Sequence, residues 1–340
     1  MKRSSFRHLL SAAVVALVAG AVAPVQAAAY SGLVVFGDSL SDTGNNALAG
    51  LYDPAQVVTG NTYVPSATYA PAMTYTNGPV WATYFASLLG VPILPSLAGG
   101  TDFAFGGAAT GTPGPGQGGF PYSLLTQTTQ YLTATGNVAS PSALYVVAGG
   151  GNNVRAALGA VAGGANPATT AAATAASFAA DVGSIVDQLQ AAGAQHIIVW
   201  NTPNLGITPA VSAAGASAFT SFLAGVMNGA LSARLTGEVG VSILDVYGIG
   251  TTIAANPAAF GFTNVTDACG AVAGADCSKY TYWDGIHPTT AVHAAVANAM
   301  LVAAIPEPET YALFAAGLAV VAWRAKARAR SSRVATAHGG

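Results

Sequence analysis

Two short segments at opposite ends of the chain carry residue types that could do chemistry together. The first is Phe36-Gly37-Asp38-Ser39-Leu40-Ser41-Asp42-Thr43-Gly44-Asn45-Asn46. An apolar run ends at Gly37 and delivers Ser39, a hydroxyl that becomes a nucleophile when a base takes its proton. The bland alternative is a strand-to-helix turn capped by Ser, Asp or Asn. The second segment is Trp283-Asp284-Gly285-Ile286-His287-Pro288. A short turn lets the Asp284 carboxylate bond one imidazole nitrogen of His287 and leaves the other free to face Ser39. A structural turn ahead of a helix near Thr289 is the alternative here. His196 reads as a strand-edge residue and His293 as a face of the last helix; neither has a carboxylate at comparable spacing.

A nucleophile of this kind needs preorganised donors for the oxyanion it generates. Gly106-Gly107 follows Phe103-Ala104-Phe105, and a glycine presents its N–H without side-chain obstruction. Gly149-Gly150-Gly151-Asn152-Asn153 follows a second apolar run and adds an amide side chain. Each motif alone is equally well a turn.

These groups must be brought together by a sheet. Leu33–Phe36, Ala143–Ala148, His196–Trp200 and Val241–Val246 are candidate buried strands. Helical patterns cover Pro79–Leu89, Leu124–Leu132, Ala171–Ala192, Ala210–Leu235 and Thr289–Ala304. Continuous apolar strands alternating with helices predict an α/β chain: a three-layer, doubly wound sandwich around a mostly parallel sheet. In such sheets the site lies beyond the carboxyl ends of the strands. Tyr52–Met73 and Gly111–Tyr122, rich in Gly, Pro, Thr and Tyr, read as loops around the mouth of the site. Leu158–Ala180, biased to Ala and Gly, reads as a surface segment without a role.

The order Ser39, Gly107, Asn152, Asp284, His287 resembles the SGNH, or GDSL, family of serine esterases and lipases, over about Val34 to Pro288. The resemblance implies a flavodoxin-like sandwich and a secreted hydrolase that cleaves carboxylic esters through an acyl-enzyme. Ser39 would be nucleophile, His287 base and Asp284 its orienter. The Ser39 and Gly107 N–H groups and the Asn152 amide would form the oxyanion hole, with Gly106 the less favoured register. Asn153 stands where the family often has Asp. No metal or organic cofactor is implied. The α/β-hydrolase elbow G-x-S-x-G is absent, and Gly37-Asp38-Ser39 is not the G-x-G-x-x-G of a dinucleotide site. Two other functions stay open: O-deacetylation of a matrix polysaccharide, and a catalytically silent surface or matrix binding protein. Tyr52, Tyr63, Tyr75 and Trp81 suit an acyl or aryl group.

Both termini read as addresses. Lys2, Arg3 and Arg7 precede an apolar stretch, Leu9–Val22, and Val25-Gln26-Ala27 offers a cut before Ala28, so residues 1–27 are expected to be a signal peptide and 28–304 the hydrolase domain. Pro306-Glu307-Pro308, the apolar run 311–323 and the basic tail from Arg324 resemble the PEP-CTERM sorting signal, which implies an exosortase partner. Residues 305–340 then address the protein through transient membrane anchoring to the cell surface or extracellular matrix. Between the two addresses, residues 28–305 carry three basic residues against eleven acidic ones, a net of −8. That leaves no basic face for phosphates and excludes a nucleic-acid partner. Cys269 and Cys277, eight positions apart, fit a disulfide in an exported chain, with a metal pair the weaker reading. Oligomeric state is not legible.

Overall fold

Five-residue apolar segments cannot leave either face in water, and the fold buries them completely. In the computed structural model, which describes residues 30–304 and Gly317, β1 (Leu33–Gly37) and β2 (Leu144–Ala148) are buried at every position. β3 (His196–Trp200) is buried except at its first residue, and β4 (Val241–Leu244), at the sheet edge, is partly exposed. The four strands are parallel and lie in chain order, with Leu33 level with Leu144 and Leu144 level with His196. On the free side of β1, the segment 101–105 runs alongside. Phe103 N–H donates to Val35 O at 2.8 Å, and Val35 N–H donates to Thr101 O at 3.0 Å.

That extra segment decides where a site can form. The chain leaves β1 toward one side of the sheet, forms the 101–105 segment, then crosses back to form β2 on the other side. The winding therefore reverses between β1 and β2, which is where open parallel sheets hold their crevice.

Helices cover both faces: α1 (Asn45–Leu48), α2 (Trp81–Leu89), α3 (Leu124–Ala134), α4 (Gly151–Ala162), α5 (Pro167–Ala191), α6 (Pro209–Ala213), α7 (Ser217–Leu235), α8 (Val246–Ala255) and α9 (Thr290–Ala304). The long α5 starts at Asn166, whose side chain accepts the Thr169 N–H, with Pro167 in its first turn. It buries Ala171, Ala175, Phe178, Val182, Ile185 and Leu189, a helical stripe against the sheet and α7. The stretch 158–180 is thus no idle surface segment: its small residues let α5 approach closely.

Other expectations also shift. The pattern Ala210–Leu235 is two helices, because Gly215 adopts φ +67° and ends the first. The strand expected to reach Val246 stops at Leu244, and Asp245 caps α8 through Gly248 N–H. A small parallel pair, β5 (Asn264–Ala268) and β6 (Tyr280–Tyr282), had no sequence signal. Cys269 and Cys277 form a disulfide that closes the loop between them. Among the described residues no helix is long and apolar enough to cross a membrane. The signal peptide expected at 1–27 and the tail at 305–340 lie outside the described residues, Gly317 excepted.

Candidate active site

β1 ends in a clasp. Gly37 N–H donates to Gln127 Oε1 at 2.8 Å, and Gln127 Nε2 donates back to Gly37 O at 2.8 Å. A Cβ at Gly37 would stand 2.7 Å from Ser41 Oγ and 2.9 Å from Ala148 O, so the strand end accepts only glycine. The chain then turns: Ser41 and Asp42 N–H both donate to Asp38 O, and Leu40 N–H to Asp38 Oδ1. Ser39 projects from this turn. Burial pushes the Asp38 carboxyl up to about 6, against the Leu40 N–H and the charges of His287 and Arg155, which pull it down.

Asp42 binds the first segment to the second. Its carboxylate accepts the backbone N–H groups of Gly44, Asn45, Asn46 and Gly106. The Gly106 N–H is thereby spent. The Gly107 N–H, at φ +87°, has no acceptor among the described residues, nor has the Ser39 N–H. The two glycine registers left open by sequence differ in this respect. Burial raises Asp42 to about 6.

Asn152 lies in the first turn of α4, which follows β2. Its Nδ2 donates to Ala108 O at 2.9 Å, and so reaches the Gly107–Ala108 turn. Asn153 supports the junction: it accepts from Thr110 N–H and donates to Thr110 Oγ1, which in turn donates to Asp181. The expected departure at this position is filled by an amide that pairs with Thr110 from both ends.

His287 and Asp284 come from a tight turn held between Tyr282 and Pro288. Asp284 is fully buried, and its Oδ1 accepts Ile286 N–H at 2.8 Å and His287 N–H at 2.7 Å. Its Oδ2 lies 2.8 Å from His287 Nδ1. His287 Nε2 lies 2.9 Å from Ser39 Oγ, across 248 positions of sequence. The two other histidines among the described residues stand apart from this chain of bonds. His196 opens β3 at the amino edge of the sheet and packs against the Tyr30 ring. His293 accepts Trp81 N–H at its Nδ1, and burial and the His287 charge lower it to about 3.

Ser39, Asn152 and His287 border one cavity of about 140 Å³. Its walls are apolar, with Leu205, Ile207, Ile249, Ile253, Val292 and Val296, and Arg155 and Asp38 are polar lining residues. The aromatic residues expected to hold an organic group are elsewhere. None of Tyr52, Tyr63, Tyr75 and Trp81 lines this cavity. Trp81 is buried against Trp200, and Tyr75 packs on the His287 ring at 5.5 Å. Nor do the loops Tyr52–Met73 and Gly111–Tyr122 contribute to its wall; they buttress the site from behind, through Tyr69 and the Tyr122 carbonyl. Sequence reasoning missed Gln127, Asp42 and Tyr69. Asp42 stands in the first motif and Tyr69 in an aromatic loop, but neither place discloses what the residue does. Among the described residues no three His, Cys, Asp or Glu side chains gather as a metal site.

Residues 33–300, which hold the sheet and every residue of this site, match the model of the GDSL-like lipase/acylhydrolase family. The chain belongs to that family. Residues 304–328 match the PEP-CTERM protein-sorting motif. Among curated relatives of this GDSL protein is an uncharacterized protein from the trpE-trpG intergenic region of Pseudomonas putida, 30% identical over 314 residues, 79% of this chain and 48% of the relative. Esterase EstA of Pseudomonas aeruginosa is 28% identical over 304 residues, 76% of this chain and 44% of the relative. The chain thus spans about half the length of the curated relatives it matches. Among solved structures, Est24, a carbohydrate acetylesterase from Sinorhizobium meliloti, aligns with a TM-score of 0.45 at 16% identity, over 81% of this chain and 99% of that one.

Proposed function

We propose that this GDSL hydrolase cleaves carboxylic esters by an acyl-enzyme mechanism. The observation that carries the reading is the unbroken chain Asp284 Oδ2, His287 Nδ1, His287 Nε2, Ser39 Oγ, with links of 2.8 and 2.9 Å. His287 Nε2 takes the hydroxyl proton as Ser39 Oγ attacks the ester carbonyl. The carbonyl oxygen gathers charge and is held by the Ser39 and Gly107 N–H groups and the Asn152 amide. His287 returns the proton to the departing alkoxide. Water, activated by the same imidazole, then attacks the acyl-enzyme and frees the acid. Asp284 keeps the imidazole in the productive tautomer and stabilises its cation.

The apolar cavity supports an acyl chain as the bound group. Its volume is close to that of an apolar cavity of about 150 Å³ that holds benzene, the scale of an acyl chain of about six carbons. The sorting motif supports a second reading, O-deacetylation of a matrix polysaccharide, since a PEP-CTERM motif implies export. We propose residues 1–27 as signal peptide, 28–304 as hydrolase domain and 305–340 as the exosortase substrate, so that the protein works outside the cell.

A chain-length panel of p-nitrophenyl esters, run beside acetylated xylan, tests the substrate. Best turnover of medium-chain esters supports the acyl reading, and turnover confined to xylan replaces it. Ser39→Ala is expected to abolish hydrolysis and fluorophosphonate labelling while leaving the fold intact. Wild-type rates in that variant reject the mechanism, and no labelling of the folded wild-type protein favours a binding role.

A further inference from the structure

Asp284 Oδ2 accepts two hydrogen bonds. One comes from His287 Nδ1; the other comes from the phenol of Tyr69, at 2.9 Å and 215 positions away. Tyr69 is only 2% exposed and Asp284 not at all, so no water competes for this bond. The tyrosine is fixed as firmly as any core residue. Its N–H donates to Thr74 O, and its carbonyl accepts Met73 N–H, both at 2.8 Å. Its ring stands edge-on to Trp283 at 5.6 Å. One residue earlier, Thr68 is tied to Leu51 O by both its N–H and its hydroxyl. A phenol aimed at a buried carboxylate from a braced loop is more than packing, because a phenylalanine would pack equally well and leave Oδ2 one donor short.

We infer that Tyr69 is a positioning residue for the hydrolysis proposed above: it holds the Asp284 carboxylate in line with His287 and moderates the pull of that carboxylate on the imidazole proton. The inference rests on the Ser39–His287–Asp284 reading. A carboxylate sharing its charge with a second donor grips the Nδ1 proton of His287 less tightly, and that electrostatic difference is what a pH profile of activity reads. Burial and the Asp284 charge hold the phenol protonated well above any working pH, so it remains a donor throughout. The other groups facing this pair are few. Asp38, from the turn after β1, and His293, from α9, both interact electrostatically with His287, and Arg155 acts on it through Asp38. Tyr75 covers the imidazole face and Tyr63 faces Asp284.

The test is the pH profile of kcat/KM for p-nitrophenyl butyrate, measured on the full-length protein. In Tyr69→Phe the acidic limb is expected to move up by roughly half to one pH unit, with kcat down by roughly three- to tenfold and KM within about twofold. Site-specific replacement of Tyr69 by 3,5-difluorotyrosine, a stronger donor of nearly the same shape, is expected to move the limb down. An acidic limb that stays put in both variants overturns the proposal, as does a loss of kcat with the limb unmoved, the outcome of a purely structural role. Should Tyr69→Phe fail to fold, the fluorinated protein decides alone. Failure of the underlying mechanism is separately visible, since Ser39→Ala would then retain activity.

Discussion

At the residue scale, the site depends on donors already committed to one geometry. Asn152 illustrates this: one proton of its amide is spent on Ala108 O, which fixes the side chain, and the proposed oxyanion contact falls to the second proton. Asn152→Ala is expected to lower kcat/KM by 10²- to 10³-fold, about 3–4 kcal/mol of transition-state stabilisation. The measurement is steady-state kinetics alongside a melting curve, because loss of the Ala108 bond has its own cost. A variant that keeps its stability and its rate removes Asn152 from the oxyanion hole. Residues of this kind were legible in the sequence where their partners are local. Asp284 and His287 announce themselves three positions apart because one carboxylate oxygen takes the Ile286 and His287 N–H groups and so writes the turn into the spacing. Tyr69 was illegible because its partner lies 215 positions downstream. The choice between Gly106 and Gly107 likewise needed Asp42, whose claim on the Gly106 N–H is a contact across 64 positions.

At the element scale, the end of β1 is held by a side chain from a helix. Gln127 of α3 is fully buried and binds both backbone groups of Gly37 and, through the same Nε2, the Tyr122 carbonyl. Gln127→Leu would leave the Gly37 N–H and the Tyr122 carbonyl unpaired in the interior, while the Gly37 carbonyl keeps the Phe105 N–H. Unfolding free energy in urea is expected to fall by about 2–4 kcal/mol, and kcat to fall with it, since Ser39 follows two residues after the clasp. A variant with unchanged stability would show that the clasp is redundant. Strands and long helices were legible here because their burial patterns are periodic or continuous. The helix α4 was hidden behind three glycines that read as a turn, one of which, Gly150, is a left-handed cap at φ 110°. The bend at Gly215 was hidden inside an unbroken apolar pattern. The 101–105 segment was equally invisible as a strand: its alignment with β1 depends on pairing to Val35 and Gly37.

At the scale of the whole molecule, the fold buries several acids without cations to match. Asp102 is the extreme case. It is fully buried beside Asp42, and burial and that neighbouring charge raise it to about 8 despite the Thr43 and Ala104 donors. A carboxyl raised on folding binds a proton more tightly in the native state than in the unfolded chain. Its contribution is whole below the unfolded value near 4 and is lost as pH climbs to the folded one. Asp38 and Asp42, at about 6, exhaust their effect by near-neutral pH. His293 works oppositely: held neutral down to about 3, it adds stability as pH rises from there to its ordinary value near 6.5, and nothing above. From pH 6.5 to 8, Asp102 therefore dominates, and stability is expected to decline by about 1–2 kcal/mol. Urea midpoints at pH 6.5 and 8, at constant ionic strength, measure it. Asp102→Asn, though less stable because its amide N–H₂ replaces one of the two accepting oxygens and so meets either the Thr43 or the Ala104 N–H, is expected to be flat over the same interval. A wild-type midpoint that stays flat over the interval would mean that Asp102 is ionised in the folded protein, its charge carried by the Thr43 N–H, the Thr43 hydroxyl and the Ala104 N–H alone.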